Sequence, residues 1–429
     1  MLEKFLLYIK ENLSDSDTNN ILLSVSGGID SMVMVRLCHL ANLKFGIAHI
    51  NHDTREGESD KDAEFVQNYC IKNSISFHEK KLNYKNLSEG NFQENARAAR
   101  KDFLKQVADN ENYSCIFTAH HMDDRLETLL MNLDRKSGIK GLIGFPSYAP
   151  PFFKALLPFS KEEIIHFASN NNVDFKVDKS NYSDAYRRNR IRHHIIPILN
   201  AEFNNFTTHS AASMNHLAQD YTLLEELIDE LNLVEKGDLY NVIHLDKIKA
   251  LTNGKTLLYH VLDRYNFNYQ TTEDIYNSSN TGSLFYSSDY ESLLNRDKLL
   301  IRPLKNPLIV DLSIHEPGEY KLTNGRKIRV YLSNEASENS NSLSYDKTTV
   351  KWPIRMRNIQ PGDIFHPINL KGKSKKVKKL CSDLKISRFD KENLIVLEVE
   401  NEIIGILGLG YDFFHQPIKK DDFLIFEYS

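Results

Sequence analysis

Along the N-terminal part of the chain, apolar positions alternate between two rhythms. The short apolar runs ILLSVS, KFGIAHIN, ISFHEKKL and YSCIFTAHH read as strands. Between them SMVMVRLCHLA, SDKDAEFVQNYCIKN, NFQENARAARKDFLKQVADN and DDRLETLLMNLD spread apolar residues among charges and read as helices. This alternation predicts an α/β fold, a doubly wound parallel sheet with helices on both faces. In such sheets ligands bind beyond the carboxyl ends of the strands. The opening stretch MLEKFLLYIKENLSDSD, with Glu3, Lys4 and Lys10, predicts an amphipathic helix rather than a signal peptide.

After Pro197 the pattern changes. HSAASMNHLAQDYTLLEELIDELN predicts a long helix, with Leu217, Leu224 and Leu227 at helical spacing, and Lys247 to Tyr265 predicts another. From about Pro307 the chain turns β-rich, in PLIVDLSI, YKLTNGRKIRVYL, NLIVLEVENEIIGILGLG and FLIFEY, with Asn324-Gly325 as a hairpin signal. The polar tract SNEASENSNSLSYD reads as an exposed loop. Three domains are expected: 1–199, the parallel sheet; 200–305, mainly helical; and 306–429, β-rich, ending in a small α+β unit at about 351–429. No internal repeat is visible.

Composition narrows the class. With 429 residues, 41% hydrophobic and 26% charged, the chain reads as a soluble globular protein of more than one core. No apolar run is long enough to cross a membrane, and the cytoplasm is the expected location. A net charge of −4 excludes a general basic coat, so any nucleic-acid contact must use local patches. Cys38, Cys70, Cys115 and Cys381 form no C-x-x-C pair, which argues against a zinc or iron–sulfur site. They are expected to be reduced, buried and inert.

The first candidate site lies where ILLSVS meets the next helix, at Ser26-Gly27-Gly28-Ile29-Asp30-Ser31. Glycines at a strand-to-helix turn let backbone amides approach an anion at the positive end of a helix. A plain turn would need one glycine; this segment is richer. It is neither G-x-x-x-x-G-K-[ST] nor G-x-G-x-x-G. SGGIDS resembles the pyrophosphate loop of the N-type ATP pyrophosphatases, which cleave ATP to AMP and pyrophosphate. That resemblance implies ATP bound by Ser26, Gly27, Gly28, Ile29, Asp30 and Ser31, with Asp30 placing Mg²⁺ or orienting the phosphates. It also implies adenine against the backbone from Ala48 to Ile50.

Further stretches refine this reading. AHINHDTREGESDKDAEFV, QENARAARKDFL, TAHHMDDRLETLLMNL and DKSNYSDAYRRNRIRHHIIPIL occur in this order. His120, His121, Asp123 and Asp124 fall where strand gives way to helix. Helix capping by Asp123 would explain one of them but not the set. Arg97 and Arg100 share a helix face. Arg187, Arg188, Arg190 and Arg192 repel one another unless an anion intervenes. RNIQPGDIFHP and KGKSKKVKKLCSDLKISR follow near the C-terminus, the latter with Asp383 as its one acid.

Together these segments are similar to the tRNA(Ile)-lysidine synthetases. Those enzymes use ATP to join free lysine to C2 of the wobble cytidine, position 34 of the CAU anticodon, through an adenylated cytidine. The resemblance implies Asp30, Arg97, Asp124 and Arg188 as catalytic residues. His120, His121, Asp123 and Glu127 would line a lysine pocket. Arg100, Arg192, Lys375, Lys376, Lys378 and Lys379 would contact tRNA, as would the middle domain. His193 and His194 read as structural. A homodimer is one option for the assembly.

The chain departs from the family at Lys136, at Lys154-Ala155-Leu156-Leu157 in place of R-P-L-L, and at FDKENLIV. The alternatives are a 2-thiocytidine enzyme, an amidotransferase-type ligase, or a noncatalytic tRNA-binding protein. The first needs cysteines or a cluster, and the second needs an ammonia source; neither is evident.

Overall fold

The apolar run after Asn20 forms β1 (Ile21–Ser24), a central strand of a six-stranded sheet in this computed structural model. The structure describes residues 1–51, 58–82, 92–177, 184, 186–304, 309–322, 326–337, 339, 341–366, 374–409 and 422–428. The hairpin signal Asn324-Gly325 lies outside them.

The chain divides into two compact units, Met1–Glu226 and Leu227–Ser429. In the first, helix α1 (Leu2–Asn12) precedes β1, and helix α2 (Ile29–Leu40) follows it. Then come β2 (Phe45–Asn51), α3 (Glu58–Lys72), β3 (Phe77–Lys81), α4 (Phe92–Asn110), β4 (Cys115–His121) and α5 (Met122–Asp134). A short β5 (Tyr148–Ala149), β6 (Phe152–Leu156) and α6 (Lys161–Asn170) complete the layer. The strand order is β3-β2-β1-β4-β6-β5, parallel except for β5 against β6.

Strand alternation distributes the core. Ile21, Leu23, Ile47, Phe117 and Phe153 pack with Phe5 of α1, Met32 and Val35 of α2, Val66 of α3 and Ile164 of α6. Leu22, Ala48 and Ile116 point the other way, onto Phe103, Leu104 and Ala108 of α4. A strand buried on both faces cannot show a polar side, which is why Ile21-Leu22-Leu23 is apolar without alternation. The chain leaves β1 for β2 and β3, then crosses back to β4 on the other side of β1. The crevice between β1 and β4 is therefore the switch point where ligands bind in such sheets.

The long helix α7 (Phe206–Glu230) follows. In the second unit, the region expected to be mainly helical contains a five-stranded antiparallel sheet as well as helices. Its strands are β7 (Val234–Glu235), β8 (Asn241–His244), β9 (Leu284–Tyr286), β10 (Tyr290–Asn295) and β11 (Lys298–Pro303). Most of these are very short. Leu293-Leu294 and Leu299-Leu300-Ile301 are two short buried apolar runs, so periodicity alone could not separate strand from helix.

Beyond it, a six-stranded and a four-stranded sheet share one core, built around Ile328, Met356, Leu397 and Phe426. Helix α8 (Val377–Asp383) lays Val377, Leu380 and Cys381 against Phe365, Val396 and Ile406. Phe389 plugs into the β10–β11 hairpin beside Leu293 and Leu300. Arg302 stacks over it, 3.8 Å from Cζ to the ring centroid, and donates to Glu291 and Glu392 at 2.7 and 2.5 Å. The departure FDKENLIV thus supplies a docking residue within this unit. All four cysteines are buried and unpaired with one another. Burial pushes Cys70 and Cys115 up to about 11 and 12 and raises Cys38 and Cys381 as well.

Candidate active site at the head of the parallel sheet

The loop after β1 is built to hold its shape without a ligand. Gly27 has φ +89°, a left-handed conformation, and a Cβ there would meet Val66 at 3.4 Å. The Ser31 hydroxyl donates to Gly28 O at 2.9 Å and accepts the Gly27 N–H at 3.2 Å. The Gly28 N–H points at Ser26 Oγ, 3.4 Å away. Ile29 and Asp30 open α2, so the loop faces outward at a helix N-terminus. The side chains of Ala48 and Ile50 are buried, which leaves only the backbone of β2 for a ligand beside them. His49 ties that strand to the loop through Nδ1 and Val25 O, at 2.9 Å.

Across the switch point, the end of β4 supplies the second half. His121 is 3% exposed and sits among three carboxylates: Asp123 at 3.6 Å, Asp124 at 3.6 Å and Asp30 at 3.9 Å. Burial alone would lower its pKa. Asp124, Asp123 and Asp30 outweigh burial and hold it above the usual histidine value. Asp124, not Asp123, closes the start of α5, taking the His121 N–H at 3.0 Å. Asp123 reaches instead to the Lys161 N–H of α6, at 2.8 Å. Burial would raise Asp124, but His121, Arg188 and His120 bring it down to about 2. His120 contacts Thr118 Oγ1 at 3.0 Å, and burial, aided by Arg100 and Lys154, lowers it to about 4.

The arginine segment closes over this end. Glu127 is fully buried; Oε2 accepts from Arg188 Nε, and Oε1 from Arg192 Nε at 2.6 Å. Asp124 Oδ1 accepts from Arg188 Nη2 at 3.2 Å and from Arg192 Nη2 at 3.1 Å. Arg187 pairs with Asp134 at 2.8 Å, and Arg190 donates to Asp184 O at 3.0 Å. The repulsion expected within RRNRIR is thus relieved inside the chain. Arg192, grouped by sequence with the tRNA contacts, lies beside Arg188 in the site. His193 and His194 both bind Asp184, at 3.0 and 2.7 Å.

Other residues stand at the rim or apart. Arg97 and Arg100 are exposed on α4. Burial, Lys101 and Arg97 together lower Lys154 on β6. In the second unit Lys376, Lys378 and Lys379 are exposed, and Lys375 and Lys379 share Asp383, at 2.9 and 3.3 Å. A cleft of about 460 Å³ opens among His121, Asp123, Lys161, Arg192, Pro197 and Asn200.

Residues 1–199 match the PP-loop domain family, and residues 234–304 match the TilS substrate binding domain. The tRNA(Ile)-lysidine synthase of Parabacteroides distasonis is 28% identical over 424 residues, covering 95% of each chain. That of Bacteroides thetaiotaomicron is 29% identical over 419 residues, covering 95% of this chain and 94% of its own. That of Persephonella marina is 28% identical over 458 residues, covering 99% and 98%.

The chain is similar to the tRNA(Ile)-lysidine synthases over nearly its whole length, and its first 199 residues carry the PP-loop domain. Membership in the PP-loop group carries ATP use with it. Sequence reasoning passed over Lys161, whose ammonium lies 2.5 Å from Asp30 Oδ1. The available signal was Ser160-Lys161 in PFSKEEII, a cap and a cation at a second strand-to-helix turn beside β4. No helix among the described residues is long and apolar enough to cross a membrane.

Proposed function

We propose that this protein joins free L-lysine to C2 of the wobble cytidine in the CAU anticodon of tRNA(Ile), consuming ATP and releasing pyrophosphate and AMP. The observation that carries this reading is the pairing of a preformed anion loop after β1 with the carboxylates of α5 and the arginines Arg188 and Arg192 that close over them, across one switch point. The C2 carbonyl oxygen of cytidine attacks the α-phosphorus, and pyrophosphate leaves toward Ser26, Gly27, Gly28 and Ser31. The ε-amine of lysine then attacks C2, and AMP departs with the oxygen. Arg97 and Arg188 stabilise the developing phosphate charge. Asp124 orients the amine; with a pKa of about 2 it is too weak a base to take the proton efficiently. His120, His121, Asp123 and Glu127 form the lysine pocket. Glu127 meets the lysine ammonium only after Arg188 and Arg192 turn to phosphate.

Among the described residues no group of three or more His, Cys, Asp or Glu side chains could hold a metal alone. Mg²⁺ usually takes one or two carboxylates together with substrate phosphates, and Asp30 beside the loop fits that pattern. When bound there, Mg²⁺ would neutralise charge on the leaving pyrophosphate. Arg100 and the basic residues Lys375, Lys376, Lys378 and Lys379 contact the tRNA backbone.

Mass spectrometry of a tRNA(Ile) transcript, incubated with ATP and lysine, tests the reading. The expected product carries one lysine, less water, on the anticodon cytidine. An unchanged transcript in the presence of folded, ATP-binding protein would reject it.

A further inference from the structure

We propose that Lys161 is a further ligand of the ATP polyphosphate chain, which Asp30 holds in place until the nucleotide arrives; this rests on the ATP reading above. Three observations converge. The Lys161 Nζ lies 2.5 Å from Asp30 Oδ1, and both side chains are about one-third exposed, at 35% and 31%. The ammonium therefore sits at an open mouth and can exchange partners. The backbone of Lys161 is fixed independently, because Asp123 Oδ2 accepts its N–H at 2.8 Å. The stem thus starts from a defined point at the first position of α6, whose cap Ser160 accepts the Glu163 N–H at 3.2 Å.

Charge supplies the direction. The SGGIDS loop holds no cation of its own and carries a carboxylate, Asp30. Polyphosphate entering beside Asp30 meets like charge unless a cation stands between them. Lys161 already occupies that position. His121 is buried beneath the carboxylates, and Arg192 is held by Glu127 and Asp124 until the phosphates are in place. Glu162 lines the same cleft and opposes anion entry, which makes the Lys161 charge more necessary there. A lysine ammonium is a compact charge on a flexible stem and bridges carboxylate and phosphate readily. The alternative is that Lys161 only neutralises Asp30.

Calorimetric titration of the intact protein with inorganic pyrophosphate, in magnesium-free buffer, separates these. Lys161→Met should weaken pyrophosphate binding by roughly tenfold or more, the scale of one lost charge-assisted contact. Lys161→Arg should retain most of the affinity, and thermal unfolding should show both variants folded. In an Asp30→Asn background the Lys161→Met change should cost a similar factor, since the contact is with phosphate. Wild-type affinity in Lys161→Met would overturn the proposal. So would an effect that vanishes once Asp30 is neutral, because Lys161 would then be only a counter-ion. A wild-type protein that bound neither ATP nor pyrophosphate would reject the ATP reading itself, and this inference with it.

Discussion

Asp30 and His121 show how single side chains divide the work. Asp30 lies in the first turn of α2 with a partly exposed side chain, so little packing depends on it. Asp30→Ala should leave the fold intact and abolish ATP consumption, not merely lysine transfer. Normal pyrophosphate release by the folded variant would remove Asp30 from the chemistry. His121 gives a pH signature. Its folded pKa stands above the ~6.5 of an unfolded histidine. The stabilisation it provides is complete below that value and is lost as pH rises through the folded pKa. Asp124 runs the other way: its contribution is present above its ordinary value of 3.8 and is lost as pH falls through about 2. Urea midpoints measured from mildly acid to mildly alkaline pH should therefore fall on the alkaline side. Asp124→Asn, which removes the chief charge holding His121 protonated, should flatten that fall; an unchanged slope would mean that another group causes it.

At the level of elements, α8 and the strand before it present the basic face unevenly. Lys376, Lys378 and Lys379 are exposed, but Lys375 and Lys379 are already paired through Asp383. Neutralising all four should weaken tRNA binding and reduce its salt dependence, with ATP affinity unchanged. Lys376→Ala and Lys378→Ala should account for more of the loss than Lys375→Ala and Lys379→Ala. Filter-binding across a salt series measures both, and an unchanged slope would reduce the run to a solvated surface.

The same scale shows what the sequence could and could not disclose. Elements of the first unit were legible because β1, β2 and β4 are bounded apolar runs and the glycines mark the turn into α2. The pairing of Arg188 and Arg192 with Glu127 was not, because it joins residues more than sixty positions apart through side-chain reach. Lys161 was hidden for the same reason, its partner lying 131 positions away. The β7–β11 sheet escaped because its strands are short and its central hairpin lacks polar alternation.

For the whole molecule the order of events is the sharpest test. The oxygen to be adenylated belongs to the RNA, so ATP–pyrophosphate exchange should require tRNA and proceed to some extent without lysine. Exchange that needs lysine but runs without tRNA would sink the adenylated-cytidine scheme, and with it the roles given to Arg97, Arg188 and Asp124.

The buried thiols have a use outside catalysis. A sulfhydryl that is neither ionised nor accessible reacts with an alkylating reagent only when its surroundings open. Cys38, Cys70 and Cys115 lie in the core of the first unit, and Cys381 lies on the buried face of α8 in the second. Alkylation rates thus become clocks for opening, read from the native chain with no introduced probe. Comparing the Cys381 clock with the other three tells whether the two units open together or one before the other.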